Sequence, residues 1–177
     1  EEITKIVAYC HPTVDEPVFR HTDLETTVDA TFDFAYLASV VAHRVPIGVE
    51  WQDADTMRNP AIRAFREKVE LLPNTSLTGA GPGSWEKSQH AYVEVHARGS
   101  VFREDRPCPR GGQIEGGFYG LTYADLEEKF RHNAERILTN DQCQRAVALL
   151  LGLEEVGEIS EVIQQISPGT WRPPKRA

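Results

Sequence analysis

The residues able to carry chemistry in this chain are few and scattered. Six histidines (His11, His21, His43, His90, His96, His132) and three cysteines (Cys10, Cys108, Cys143) never fall at metal-ligand spacing. There is no HExxH, no CxxC pair and no calcium-binding loop, so no metal is expected from this chain alone. The odd, scattered cysteines read as reduced and mostly buried thiols. The run GAGPG at 79–83 and the glycine pairs at 111 and 116 lack a following GK[ST] and the strand-to-helix frame of a dinucleotide fingerprint. No nucleotide is expected. No GxSxG elbow supports Ser39 or Ser84 as a nucleophile. The carboxylate pairs Glu127-Glu128 and Glu154-Glu155 read as solvated helix faces. Tyr36 stands apart as a polar-tipped aromatic inside an apolar helical pattern. A phenol with an ordinary pKa near 10 can orient or donate a proton but is a poor base at neutral pH. Most aromatics in such a pattern simply fill a core, and that reading of Tyr36 stands beside the functional one.

The elements that must position Tyr36 follow from periodicity. Residues 30–45 predict a helix with two stripes, one of Phe34, Leu37, Ala38 and Val41, the other of Tyr36, Val40 and His43. If Phe34 faces the domain's own sheet, Tyr36 faces whatever packs on the other side, because a helix apolar on two sides is sandwiched between layers. Residues 2–11 predict a strand ended by Pro12, and residues 12–29 a long loop. From Asp53 a second helix is expected, with Asn59 as N-cap and Pro60 at its first position, leading into a short strand around Val69 and Leu71. Residues 87–98 alternate at period two, Gly99-Ser100 reads as a turn, and residues 100–106 return as a partner strand.

After a glycine- and proline-rich stretch from Pro107 to Gly120 the pattern becomes wholly helical. Thr122, with Asp125 three residues on, resembles a capping box opening a helix through Leu126, Phe130, Ala134, Ile137 and Leu138. A second helix begins at Asn140 and closes at Gly152, and residues 158–166 form a third. The organisation expected is α+β: a small mixed-sheet domain at 1–118, a segment of C-terminal amphipathic helices at 119–167 and an extended tail at 168–177.

Composition narrows the function. The 177 residues are 40% apolar and 26% charged, with 27 acidic against 19 basic side chains and a net charge of −8. A chain of this size can bury roughly 70% of its unfolded surface. Its acidic balance leaves no basic patch for nucleic acid, and no apolar run approaches the roughly 20 residues of a membrane span. A soluble, cytoplasmic protein is expected. The opening Glu1, followed almost at once by strand-like residues, suggests a chain cut from something longer. The match of Asn74-Thr75-Ser76 to a glycosylation acceptor reads as chance in that setting.

Several stretches, taken together, resemble one family. ATFDFAYLASVVAHRVP followed by VEWQDADTMRNPAIRAFREKVEL is similar to the part of the MmgE/PrpD family that reads A-x-F-S-x-x-Y, a small-residue helix, then N/D-P-x-V-x-x-L-x-x-K-V. The opening EEITKIVAY and the later GLTYADLEEKF, with Lys129-Phe130, fall in the same order across residues 2–167. The resemblance implies the C-terminal lid of an enzyme such as 2-methylcitrate dehydratase, cis-aconitate decarboxylase or iminodisuccinate epimerase, with chorismate-mutase-like topology. Such enzymes act on small di- and tricarboxylates without a cofactor, as lyases or isomerases, moving a proton next to a carboxylate. It also implies that Tyr36 matches a lid tyrosine reaching the active site, which makes Tyr36 the candidate catalytic residue. Asp33 stands where the family often has Ser, and Ala35 where Pro is common.

The main acid-base residues of the family lie in upstream segments, so the isolated chain is expected to be inactive without a helical domain. Exposed apolar surface, covered by that domain or by a second copy, is expected as well. Arg58, Arg63 and Arg103 are candidate carboxylate contacts. Two alternatives remain open. One is a stand-alone binding or assembly module on the same scaffold. The other is a small oligomeric enzyme with its site built from Tyr36, His43 and Arg44 at a subunit interface.

Overall fold

The computed structural model describes residues 2–20, 23–74, 76, 90–114 and 117–167. The GAGPG run, Ser84, Thr75 of the acceptor triplet, His21 and the tail from Pro168 lie outside the described residues. The fold is α+β, with a four-stranded mixed sheet and seven α-helices among the described residues. The strands are β1 (Ile3–Cys10), β2 (Val69–Pro73), β3 (Ala91–Ala97) and β4 (Ser100–Arg106), in the order β2-β1-β3-β4. β1 runs parallel to β2 and antiparallel to β3, and β3 is antiparallel to β4.

The register explains the alternation in the sequence. Ile6 lies beside Val69 and Val95, and Ala8 beside Leu71 and Val93, so one face of the sheet is apolar. The other face carries a polar-aromatic ladder. Tyr9 stacks on Tyr92 with 4.3 Å between ring centroids, and the Arg103 guanidinium lies 3.7 Å from the centroid of Tyr92. The β3–β4 turn is Arg98-Gly99, one residue earlier than the sequence suggests. Both residues have positive φ, at 53° and 73°, as a two-residue turn matched to strand twist requires.

A parallel pair needs a crossover, and the β1–β2 crossover holds four short helices. These are α1 (Thr27–Phe32), α2 (Phe34–Ala42), α3 (Ala54–Arg58) and α4 (Pro60–Arg66). The single helix expected at 30–45 is broken at Asp33. That residue is extended (ψ 104°) and its carboxylate accepts from the Tyr36 backbone N–H at 2.8 Å, so it ends α1 and caps α2. α1 begins inside the expected 12–29 loop, where Thr26 and Asp29 form a capping box. The segment from Asp53 is also two helices, because Pro60 supplies no N–H to continue α3. Asn59 caps α4 as expected, accepting from Ala61 N–H at 2.9 Å.

α2 ends in a Schellman motif without glycine. Val45 N–H donates to the Val40 carbonyl at 3.0 Å and Arg44 N–H to Val41 at 2.9 Å, while Arg44 takes the left-handed conformation at φ 57°.

The chain divides into two compact units, Glu1–Leu121 and Thr122–Ala177. The first also contains a small hairpin of β5 (Gln113–Ile114) and β6 (Gly117–Phe118). The second contains α5 (Tyr123–Ala134), α6 (Asn140–Leu151) and α7 (Ile159–Ile166). Capping boxes at Thr122/Asp125 and Thr139/Gln142 open α5 and α6. α5 stops at Ala134, short of Ile137 and Leu138. Leu138 still reaches the core of this unit with Ala134 and Cys143, and Phe130 packs against it.

Candidate functional site

The sequence directs attention to α2, and the structure defines what lies on each of its two stripes. Tyr36 and Val40 are 0% exposed and join Leu24, Ala30, Met57 and Ile62 in a closed cluster. The layer on this side therefore comes from the chain itself, from α1, α3, α4 and the segment before them. A helix apolar on two sides does not, in this case, signal a missing layer. Burying each large side chain there is worth about 1.5–3 kcal/mol.

The Tyr36 hydroxyl donates to the carbonyl oxygen of Trp51, in the 3₁₀ turn Val49–Gln52. Trp51 is itself fixed by its indole N–H, which donates to the Val45 carbonyl at 3.2 Å. Burial, and after it the nearby charge of Asp53, push the Tyr36 phenol up to about 12. The phenol is thus protonated at neutral pH, and the chemistry open to it is proton donation.

The start of α2 is held by a buried ion pair. Asp33 is 1% exposed, and its second carboxylate oxygen pairs with the Arg66 guanidinium of α4, whose side chain is 14% exposed. One side chain therefore caps α2, ties it to α4 and sets the backbone from which Tyr36 projects. The signal for Asp33 was present in the sequence as an N-cap residue type directly before an apolar run. Arg66 carried no such signal.

The other stripe lines an open groove of about 380 Å³ between α2 and the apolar face of β1 and β3. Phe34, Leu37 and Val41 face Ile6, Val93 and Val95 across it. Val41 is 57% exposed at this groove, and Ile47, just after the helix, is 62% exposed. The expected exposed apolar surface is present, on the Phe34 side of the helix.

The remaining candidates are dispersed. His43 is exposed, with Nδ1 2.8 Å from the Ser39 carbonyl and its ring edge-on to Phe65 at 5.4 Å. Arg44 is exposed in the cap of α2. Neither shares a hydrogen-bonding partner with the Tyr36 hydroxyl among the contacts described above. Arg58 is exposed at the end of α3, and Arg63 Nε donates to the Met57 carbonyl at 3.2 Å. Arg103 is on the outer face of the sheet, held by Asp105 at 2.8 Å with Glu94 at 3.7 Å. The three arginines thus lie on different elements, α3, α4 and β4.

Among the described residues no group of three or more His, Cys, Asp or Glu side chains could hold a metal ion, and no helix is long and apolar enough to cross a membrane. Cys10, Cys108 and Cys143 are free thiols, Cys108 and Cys143 buried, and burial raises the pKa of Cys10. Residues 1–155 match a family model described as the MmgE/PrpD C-terminal domain. A search of curated proteins gives no match.

Proposed function

Since the chain belongs to the MmgE/PrpD family, which comprises dehydratases and decarboxylases, we propose that it forms the C-terminal lid of a cofactor-independent enzyme acting on small di- or tricarboxylates. The match over residues 1–155 carries this reading. The reaction is dehydration, decarboxylation or epimerisation by proton transfer next to a carboxylate, in the cytosol. The partner is a helical domain that supplies the main acid-base residues, and without it the chain is inactive. A second copy of the chain is the other way to complete the assembly.

In this reading the first unit excludes water from the substrate on closure. Tyr36 contributes as a neutral donor, in keeping with its raised pKa. To reach substrate, its hydroxyl must exchange the Trp51 carbonyl for the ligand, which requires the Val49–Gln52 turn to shift. The experiment is to supply the helical domain and compare Tyr36→Phe with the wild-type chain on a dehydratase, decarboxylase and epimerase panel. A fall in kcat at unchanged stability supports a donor. Unchanged turnover on every active substrate removes Tyr36 from the mechanism.

The burial of Tyr36 favours one alternative. With its hydroxyl engaged internally, the same scaffold serves as a stand-alone binding or assembly module without catalysis. That reading expects tight association with a protein partner and no turnover even when a helical domain is present.

A further inference from the structure

The two outer edges of the sheet differ. At β2 the edge is covered: Arg20, from the segment before α1, donates from Nη2 to the Leu71 carbonyl at 2.8 Å, and Leu71 is buried. At β4 every residue from Ser100 to Arg106 is exposed. The two-residue turn at Arg98-Gly99 makes Ala97 and Ser100 a hydrogen-bonded pair, so Val95 with Phe102 and Val93 with Glu104 are hydrogen-bonded pairs as well. Val101, Arg103 and Asp105 therefore turn their N–H and C=O groups outward, where they meet no other backbone partner among the described residues. Such an edge is a template for one further strand.

The side chains of this edge suit a second β4. Arg103, Glu104, Asp105 and Arg106 leave the strand without net charge, in a chain of net charge −8. They are neutralised along the strand itself, Arg103 by Asp105 at 2.8 Å and Arg106 by Glu104 at 2.8 Å, with Nη1 of Arg106 donating to the Tyr119 hydroxyl oxygen at 3.3 Å. The charges that ordinarily guard an edge thus carry no net repulsion towards an identical strand. Phe102 lies on the apolar face, in line with Val95 and Ile6, and is 56% exposed. It ends that apolar row with no neighbouring strand on its outer side.

We infer that a second copy of this chain pairs antiparallel with β4, about a two-fold axis at Phe102. A two-fold axis perpendicular to the sheet brings residues of the same face opposite each other, and three central registers satisfy it. Centred on Arg103 or on Glu104, the strand sets a charge directly against its own copy, which destabilises the pair. Centred on Phe102, it joins the two rings in a non-hydrogen-bonded pair, with Arg103 opposite Val101 and Glu104 opposite Ser100 of the second copy. No charged residue from Ser100 to Glu104 then faces its like. The two four-stranded sheets become one, and the apolar row runs unbroken from Ile6 of one copy to Ile6 of the other. The interface consists of main-chain hydrogen bonds and one aromatic pair, so it is small and the association is reversible. It does not depend on the lid function proposed above.

The test is sedimentation velocity of the full chain over a concentration series, with circular dichroism melts showing that each variant is folded. Expected is a reversible monomer–dimer equilibrium. Phe102→Glu sets like charges opposite each other, and Val101→Pro removes an outward N–H without touching the β3 ladder; each should weaken dimerisation about tenfold or more. Val41→Lys, in the groove beside α2, should leave it unchanged. Under mild oxidation Phe102→Cys should yield a covalent dimer, because a non-hydrogen-bonded pair sets the two Cα atoms about 4.5 Å apart. Glu104→Cys should not, because its two copies lie about 14 Å apart along the strands. A chain that stays monomeric at every concentration would overturn the proposal and leave the edge to a different protein. A dimer indifferent to both edge variants, a dimer lost in Val41→Lys, or failure of Phe102→Cys to cross-link would overturn it equally.

Discussion

Replacing Asp33 tests the physical core of this structure, because one carboxylate performs two separable tasks. Its first oxygen caps α2 through the Tyr36 N–H, and its second neutralises Arg66 in a largely buried position. Losing an N-cap typically costs about 1 kcal/mol. Withdrawing one partner of a buried ion pair costs about 3–5 kcal/mol, and the partial exposure of Arg66 favours the lower end, about 3 kcal/mol. Asp33→Ala should therefore destabilise the first unit by about 4 kcal/mol, the two contributions together. Asp33→Asn and Asp33→Ser keep a capping oxygen and should lose only the charge contribution, about 3 kcal/mol. Adding Arg66→Met to Asp33→Ser removes the largely buried cation that has lost its carboxylate and should restore most of that loss. Urea unfolding followed by tryptophan fluorescence and circular dichroism reads the series. A loss below about 1 kcal/mol for Asp33→Ala, or no recovery in the double variant, would refute the assignment of both tasks to Asp33.

Three further outcomes follow from the same geometry. Arg44→Gly should stabilise the chain by up to about 1 kcal/mol, by relieving the left-handed strain in the cap of α2, whereas Arg44→Ala should give no gain; thermal melts compare them. Tyr36 should ionise near pH 12 against near 10 when unfolded, so its contribution is complete below pH 10 and falls by about 3 kcal/mol as pH rises through 12. Urea midpoints across that range should lose this slope in Tyr36→Phe. The open groove should bind a hydrophobic dye, and Val41→Lys should lower the signal while changing stability by no more than about 0.5 kcal/mol.

Local signals in the sequence located much of this fold. Thr122 with Asp125 places the start of α5, Asn59-Pro60 the start of α4, and the alternation around Val93 and Val95 with the turn at Gly99 the β3–β4 hairpin. The break at Asp33 escapes periodicity because both stripes begin only after it, at Phe34 and Tyr36, so their phase does not mark where the helix starts, whereas the Asp33 carboxylate that accepts from Tyr36 N–H does. The covering of Tyr36 escapes for a different reason. A stripe shows that a face will be buried but not by what, and Leu24 comes from a stretch that reads as polar loop. The pairing of Arg106 with Tyr119 depends on the return of the chain at Gly111 and Gly120, which spacing alone does not specify.

The proposed function makes this chain the lid of a carboxylate enzyme that a helical domain completes. The most direct measurement supplies that domain, as a separate chain or fused ahead of Glu1, and follows turnover of small di- and tricarboxylates. The account predicts turnover only when both parts are present, with neither part active alone. Turnover by the isolated chain, or tight association with the helical domain and no turnover on any substrate, would contradict it.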